Sequence, residues 1–323
     1  MTHRIALVGS GTMGALHALA LARTDRAKLI RVIEPREDAG RACASHFDTQ
    51  WSAELESLSD VDAVVLASAT ESHTDLAREI LAQGKPLLVE KPVASSRYTT
   101  QEIVTLSASL DVPLMCGLVE RFNPAVLTAL ALCREPVHLL ARRHSPYASR
   151  VRTGVSWDLL LHDVDIALRL FGTSPSRITS AAGRFHPGSD ESAEDTVDAV
   201  LAFPSGLATL SASRLGQRKV RSLTIAELDR LIELDLLRQD VTIYRHVPRE
   251  GLPSGDSLWR PREIIEIPEP ISAREPLAAQ LDHFLDLVEG KGDAAAERAS
   301  ILPAHQVVGT VLAHAAFAPP FKG

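Results

Sequence analysis

The chain has 323 residues, 45% of them hydrophobic and 23% charged, which suits a globular protein of about two domains and excludes global disorder, collagen and a small disulfide scaffold. Acidic residues outnumber basic ones 41 to 34, a net charge of −7 that argues against a nucleic-acid binder, and no run approaches the roughly eighteen apolar residues of a membrane span. Cys43, Cys116 and Cys133 are far apart and odd in number, and the N-terminus enters an apolar strand at Ile5 without a charged leader, so small buried thiols and a cytoplasmic location are expected.

Residues 4–8 form a short apolar run, and Gly9-Ser-Gly11-Thr12-Met13-Gly14 follows at once. A helical stretch over Ala15–Arg23 comes next, then a second apolar run over Lys28–Ile33 that ends in Glu34. The order is strand, glycine turn, helix, strand, acid. Gly9 permits the tight turn, Gly11 leaves room for a pyrophosphate, and Gly14 lets helix and strand pack closely. The helix N-terminus offers N–H groups and partial positive charge to phosphates. Glu34, 25 residues after Gly9, stands where a carboxylate binds ribose hydroxyls. The context favours dinucleotide binding over a glycine turn of another α/β domain. Glu34 favours NAD, because it repels the 2′-phosphate of NADP. Arg36 softens that preference, so NADP stays open.

The alternation continues. Ala63–Ala67 reads as a strand buried on both faces, His73–Gln83 as a helix closed by Gly84, and Pro86–Val89 as a strand ending in Glu90-Lys91-Pro92. Ser95 or Ser96 caps a helix to about Leu110, and Val112–Cys116 is a further strand. This predicts a doubly wound parallel sheet over residues 1–118, with ligands at the carboxyl ends of its strands. Gly9–Gly14, Glu34, Ser68–Thr70 and Glu90–Lys91 then share one crevice.

Residues 119–323 read as a second domain of α+β type. Asn123-Pro124 opens a helix to about Cys133, Val137–Arg142 is a strand, and Trp157–Phe171 is a helix closed by Gly172. Strands follow without intervening helices at 177–184, 196–203, 208–214, 222–226, 231–236 and 241–244, which predicts a largely antiparallel sheet. Residues 246–270, with five prolines, read as an irregular connection; helices are expected over Leu277–Val288 and Pro303–Ala316.

Asp158, His162, Asp165 and Arg169 fall at i, i+4, i+7 and i+11, one face of a helix. The stripe is a solvated face, a metal site, or a catalytic histidine oriented by a carboxylate. No cysteine or second histidine at a matching spacing supports the metal. Lys91 is either a surface lysine or an ammonium placed to stabilise an alkoxide-like transition state. Two segments lack acids: Pro136–Trp157 carries Arg142, Arg143, Arg150 and Arg152, and Ala199–Ala226 carries Arg214, Arg218, Lys219 and Arg221. They are solvated sheet edges or recognition sites for an anionic substrate.

In order, Gly9-x-Gly11-x-x-Gly14, then Gly84-Lys85-Pro-Leu-Leu-Val-Glu90-Lys91-Pro92, then Asp158-x-x-x-His162-Asp163-x-Asp165 resemble the glucose–fructose oxidoreductase / inositol dehydrogenase (Gfo/Idh/MocA) family over nearly the whole chain. The resemblance implies an N-terminal Rossmann domain and a C-terminal domain with an open-faced, mostly antiparallel sheet. It implies NAD(P)-linked oxidation of a sugar or polyol hydroxyl, with Lys91, Asp158 and His162 as the catalytic residues. Cofactor contacts fall to Gly9, Gly11, Thr12, Met13, Gly14, Glu34, Ser68, Thr70, His73, Glu90 and Lys91. Where the family usually has Thr-Pro after the third strand, this chain reads Ser68-Ala69, so the nicotinamide loop is shaped differently.

Gly117-x-x-Glu120-Arg121-Phe122-Asn123-Pro124 is similar to the branch containing UDP-N-acetylglucosamine 3-dehydrogenases. That places Arg121, Asn123 and Arg150 with Asp158 and His162 around a sugar-nucleotide substrate. The alternatives are an inositol or other free-polyol dehydrogenase, and a non-catalytic, NAD-responsive binding protein, which has no physical need of the triad. Family members pair through the open sheet face, so a homodimer or homotetramer is expected, with no nucleic-acid or membrane partner.

Overall fold

A computed structural model describes residues 2–149, 151–190, 193–247 and 262–318. The chain divides into two compact units: residues 1–119 with 275–309, and residues 120–274 with 310–323.

The first unit alternates strand and helix: β1 (His3–Val8), α1 (Thr12–Ala22), β2 (Ala27–Ile33), α2 (Glu37–His46), β3 (Gln50–Ser52), β4 (Ala63–Leu66), α3 (Thr70–Ala82), β5 (Leu87–Val89), α4 (Arg97–Ser109) and β6 (Leu114–Cys116). The six strands pair in parallel in the order β3-β2-β1-β4-β5-β6. Residues 5–8 of β1 and all of β4, β5 and β6 are buried, as continuous apolar runs demand when helices cover both faces. Ser96 caps α4 by accepting from the Thr99 N–H, and Gly84 (φ +70°) turns the chain after α3.

The second unit holds α5 (Pro124–Leu132), β7 (His138–His144), a π-helical turn over Ser156–Leu160, α6 (Leu161–Phe171), β8 (Arg177–Gly183), β9 (Thr196–Phe203), β10 (Gly206–Ser213), β11 (Val220–Ala226), β12 (Leu231–Asp235), β13 (Asp240–Val247) and β14 (Arg262–Glu266). After α7 (Pro276–Val288), α8 (Ala294–Ala299) and α9 (Leu302–His314), β15 (Ala316–Phe317) returns to the same sheet. Among the described residues nine strands run β14-β13-β12-β11-β7-β10-β9-β8-β15; all pairs are antiparallel except β7·β10 and β8·β15. β7 and β9 alternate buried and accessible residues, the mark of a sheet covered on one face.

Three expectations need correction. Residues 275–309 belong to the first unit, not the second. Arg26, between α1 and β2, holds α7 there through Asp286 at 2.7 Å and the following Glu289 at 3.0 Å. Residues 246–270 are not all irregular: β13 runs to Val247, and β14 pairs with it antiparallel; residues 248–261 lie outside the described residues. Cys116 is buried, but Cys43 and Cys133 are only half-buried; none of the three forms a disulfide.

Candidate active site

In the first unit the site residues gather where parallel strands end. Gly9 follows β1 with φ +93°, and a Cβ there would lie 2.6 Å from the Ser68 backbone. A Cβ on Gly14 would lie 2.0 Å from the Gly9 carbonyl oxygen, so both glycines are required by close backbone approach. At Gly11 no atom of the described residues lies within 4 Å of where a Cβ would stand. Gly11 stands at the N-cap of α1, with no capping side chain and no acid in the first turn. Open space beside a helix N-terminus fits a pyrophosphate.

Glu34 follows β2 and is buried. Its carboxylate accepts from the Ser10 N–H (2.9 Å) and Oγ (3.0 Å), and from the Arg36 N–H (3.2 Å), Nε (2.8 Å) and Nη2 (3.1 Å). Burial pushes this carboxyl up, but the Arg36 guanidinium and the Ser10 and Arg36 N–H groups hold it at about 2. Glu34 is thus a fixed anion beside the glycine turn. The residues fit an NAD.

Beyond β4, the Ser68 and Ser72 hydroxyls lie 2.7 Å apart, and Thr70 opens α3. His73, on α3, faces inward: Nδ1 lies 2.9 Å from the Pro92 carbonyl oxygen and Nε2 3.2 Å from that of Ser68. Beyond β5, Glu90 is buried, its Oε1 2.8 Å from His17 Nε2 and its Oε2 accepting the Lys91 N–H at 3.2 Å. Burial opposes its charge, yet His17 and Lys91 bring the carboxyl below its ordinary value. From Leu87 to Ala94 every residue is buried except Lys91. The Lys91–Pro92 bond is cis.

In the second unit Asp158 sits in the π turn, where the Leu161 N–H reaches back to the Ser156 carbonyl. The buried Glu194 carboxylate accepts the Ser156 N–H at 2.7 Å and so fixes the start of this turn. Arg214, just after β10, donates to Asp158 Oδ2 at 2.7 Å. His162 lies one helical turn on, buried in the first turn of α6. The stripe is not a solvated face. Asp165 takes a two-pronged bond from Arg121 (Nε to Oδ2 2.8 Å, Nη2 to Oδ1 2.6 Å), with Arg169 Nε at 3.4 Å. Among the described residues no group of three or more His, Cys, Asp or Glu side chains is arranged to hold a metal ion.

Arg121 and Asn123 are both buried. Asn123 caps α5, accepting the Ala125 N–H, and donates to Glu120 and to the Leu236 carbonyl. Arg143 is 2% exposed, bound to Asp163 at 2.7 Å and Glu120 at 2.8 Å. Arg143 holds the Glu120 carboxyl below its ordinary value against the opposing effect of burial. Of the two basic segments, Arg143 and Arg214 are therefore committed to carboxylates, Arg221 is half-buried, and Arg142, Arg152, Arg218 and Lys219 remain exposed. Arg150 lies outside the described residues. Sequence reasoning missed His17, three residues after Gly14, and His305 on α9; each is a lone buried histidine on a helix, which carries no spacing signal. Arg214 was visible only as one of several arginines.

Residues 3–118 match a family model described as an oxidoreductase family with an NAD-binding Rossmann fold, and residues 135–226 match a GFO/IDH/MocA C-terminal domain. An inositol 2-dehydrogenase of Rhizobium meliloti is 29% identical over 229 residues, 66% of this chain and 69% of that protein. A UDP-N-acetylglucosamine 3-dehydrogenase of Acidithiobacillus ferrooxidans is 25% identical over 293 residues, 88% of each chain. A solved structure of the UDP-N-acetylglucosamine 3-dehydrogenase from Acidithiobacillus ferrooxidans superimposes with a TM-score of 0.83 over 98% of each chain at 22% identity, which shows a shared fold.

Proposed function

We propose a function from one premise: the chain belongs to the Gfo/Idh/MocA oxidoreductase family, with an NAD-binding Rossmann domain. It is an NAD-dependent enzyme of a class that acts on sugars and polyols. Our reading is that it moves a hydride between a secondary hydroxyl of a sugar nucleotide and nicotinamide. One observation carries the catalytic part: Lys91 alone stays accessible in the buried run 87–94, at the carboxyl end of the strand that follows the nucleotide crevice.

Bound NAD supplies the hydride acceptor. Lys91 is assigned to hold the substrate oxygen as it gains negative charge, and a neutral His162 to accept the hydroxyl proton. Asp158, anchored by Arg214, is assigned to orient His162. Gly9 to Gly14 and Ser68 to Thr70 are assigned to the phosphates and nicotinamide, and Glu34 to the ribose. Buried Arg121 and Asn123 are assigned to shape the substrate wall.

The sugar-nucleotide reading is supported by the UDP-N-acetylglucosamine 3-dehydrogenase of Acidithiobacillus ferrooxidans, which matches 88% of the chain, and by the exposed Arg152, Arg218 and Lys219 of the two acid-free segments. A free polyol is the second reading, supported by the inositol 2-dehydrogenase at higher identity over a shorter stretch. The test follows reduced-nicotinamide absorbance with NAD and NADP separately, against UDP-N-acetylglucosamine, free sugars and inositols. Turnover with the nucleotide sugar alone supports the first reading. Turnover with a free polyol alone replaces it, and no turnover with NAD still bound favours a non-catalytic NAD-responsive protein. His162→Ala should lose turnover and keep NADH binding; unchanged turnover sinks its role. We further propose a cytoplasmic homodimer or homotetramer, assembled through the accessible face of the nine-stranded sheet.

A further inference from the structure

We infer that three buried histidines from three helices form a positioning cradle for Lys91, gripping the backbone that carries it. This rests on the assignment of Lys91 as a catalytic residue. His17 on α1 and His73 on α3 are each 1% exposed, and His305 on α9 is 0% exposed. All three lie in the first unit.

Together they bond Glu90, Pro92 and Val93, the residues on either side of Lys91. His17 donates from Nε2 to Glu90 Oε1 at 2.8 Å, and the other oxygen of that carboxylate accepts the Lys91 N–H at 3.2 Å. His73 Nδ1 lies 2.9 Å from the Pro92 carbonyl oxygen; its neutral ring donates to one carbonyl only, and the 3.2 Å contact with Ser68 is the longer. His305 Nδ1–H donates to the Ile301 carbonyl at 2.8 Å, which leaves Nε2 to accept the Val93 N–H at 3.2 Å. Gly117 closes the remaining side: a Cβ there would lie 3.0 Å from the Glu90 carboxylate.

A histidine suits each place for a physical reason. The ring is stiff and reaches from a helix to a neighbouring strand end, and at His305 it uses a donor at one edge and an acceptor at the other. A long flexible lysine gains reactivity from a fixed point of attachment, because misplacement of a reacting group by about 1 Å costs up to roughly 100-fold in rate. Burial of 87–90 and 92–94 leaves the Lys91 side chain as the one accessible part of an anchored segment.

The test compares two sets of variants of the full chain. His17→Leu, His73→Leu and His305→Leu remove the bonds. His17→Gln, His73→Asn and His305→Gln place an amide donor or acceptor where the ring nitrogen was. Readouts are acetic-anhydride labelling of Lys91 by peptide mass spectrometry, with Lys85 and Lys219 as internal references; kcat and KM on the sugar that turns over; and NADH affinity. We expect each leucine variant to change Lys91 labelling at least about threefold and to lower kcat about 10- to 100-fold. KM should stay within about twofold, as should NADH affinity in the His17 and His305 variants, and the amide variants should restore both labelling and kcat. Unchanged Lys91 labelling and kcat in folded leucine variants overturns the cradle, as does failure of the amide variants to restore either. Where a leucine variant does not fold, its amide partner decides: parent-like Lys91 labelling supports the cradle, altered labelling overturns it. Lys91→Ala separates the two claims, since retained turnover removes the catalytic assignment while the labelling result still decides the cradle.

Discussion

The Glu34 carboxylate accepts five hydrogen bonds, from two groups of Ser10 and three of Arg36, and that geometry sets two testable properties. The first is acid sensitivity. The folded value of about 2 lies below the ordinary 4.5, so between these values the unfolded chain binds more protons. Stability from Glu34 is then complete above about pH 4.5 and is lost as pH falls toward 2. Glu34→Gln should flatten the loss of unfolding free energy over that window, and a slope equal to the parent's would contradict it. The second is cofactor choice. Arg36 is exposed but its guanidinium is bound to Glu34, so a 2′-phosphate meets the acid and not a free arginine. Glu34→Ser should raise NADPH affinity about tenfold and lower NADH affinity by a similar factor, each worth about 1.4 kcal/mol. Adding Arg36→Ala should remove the NADPH gain. Fluorescence titration of the reduced cofactors reads both, and an NADPH gain that survives Arg36→Ala would show that another group holds the phosphate.

At the scale of elements, the parallel sheet was legible because a strand buried on both faces must be apolar throughout, as residues 63–67 are. The π turn at 156–160 was not legible. It depends on one N–H reaching back five residues, and no hydrophobic period marks that. It carries Asp158, so the stripe of 158, 162, 165 and 169 begins in a π turn and continues on a regular helix from Leu161. Asp165 was read without its partner because Arg121 is 44 residues away. A helical apolar face over 277–288 announces that α7 packs, but not against which unit. β14 was hidden by the prolines before and after it. Glu194 is the element-scale test: it accepts the Ser156 N–H, and a Cβ on Gly154 would lie 2.3 Å from its carboxylate. Removing a buried acceptor of this kind costs about 1–2 kcal/mol. Glu194→Ala should lower the Tm by about 2–8 °C and reduce kcat more than NADH affinity. An unchanged Tm would mean that the turn is held by its other contacts.

At the scale of the whole molecule, the chain joins its two units at 119/120, 274/275 and 309/310, and α9 belongs to both. The nine-stranded sheet bears on the state of assembly. Leu139, Ala141 and Arg143 face α6, as the Arg143–Asp163 bonds require, so His138, Leu140 and Arg142 face the other way. Register carries that outward row across the sheet: Thr179, Val200, Thr209, Leu140, Thr224 and Glu233 stand side by side on six strands. The next row places Leu207 beside His138 and Ala202, and Leu231 beside Tyr244. Leu140, Val200 and Leu207 are exposed. On the other side of the Leu140 row Asp198, Ser211 and Arg142 stand side by side, so the face joins threonines and branched apolar side chains to charges of both signs, the chemistry of a self-complementary interface; a stable one buries about 1,200–2,000 Å². Light scattering after gel filtration should give two or four times the 34.9 kDa of one chain. Leu140→Glu with Val200→Glu places like charges on both partners of a twofold interface, and the mass should fall to that of one chain while NADH affinity is retained. A parent of single-chain mass at micromolar concentration would remove the sheet face from the assembly argument, and an oligomer that survives both substitutions would place the interface elsewhere.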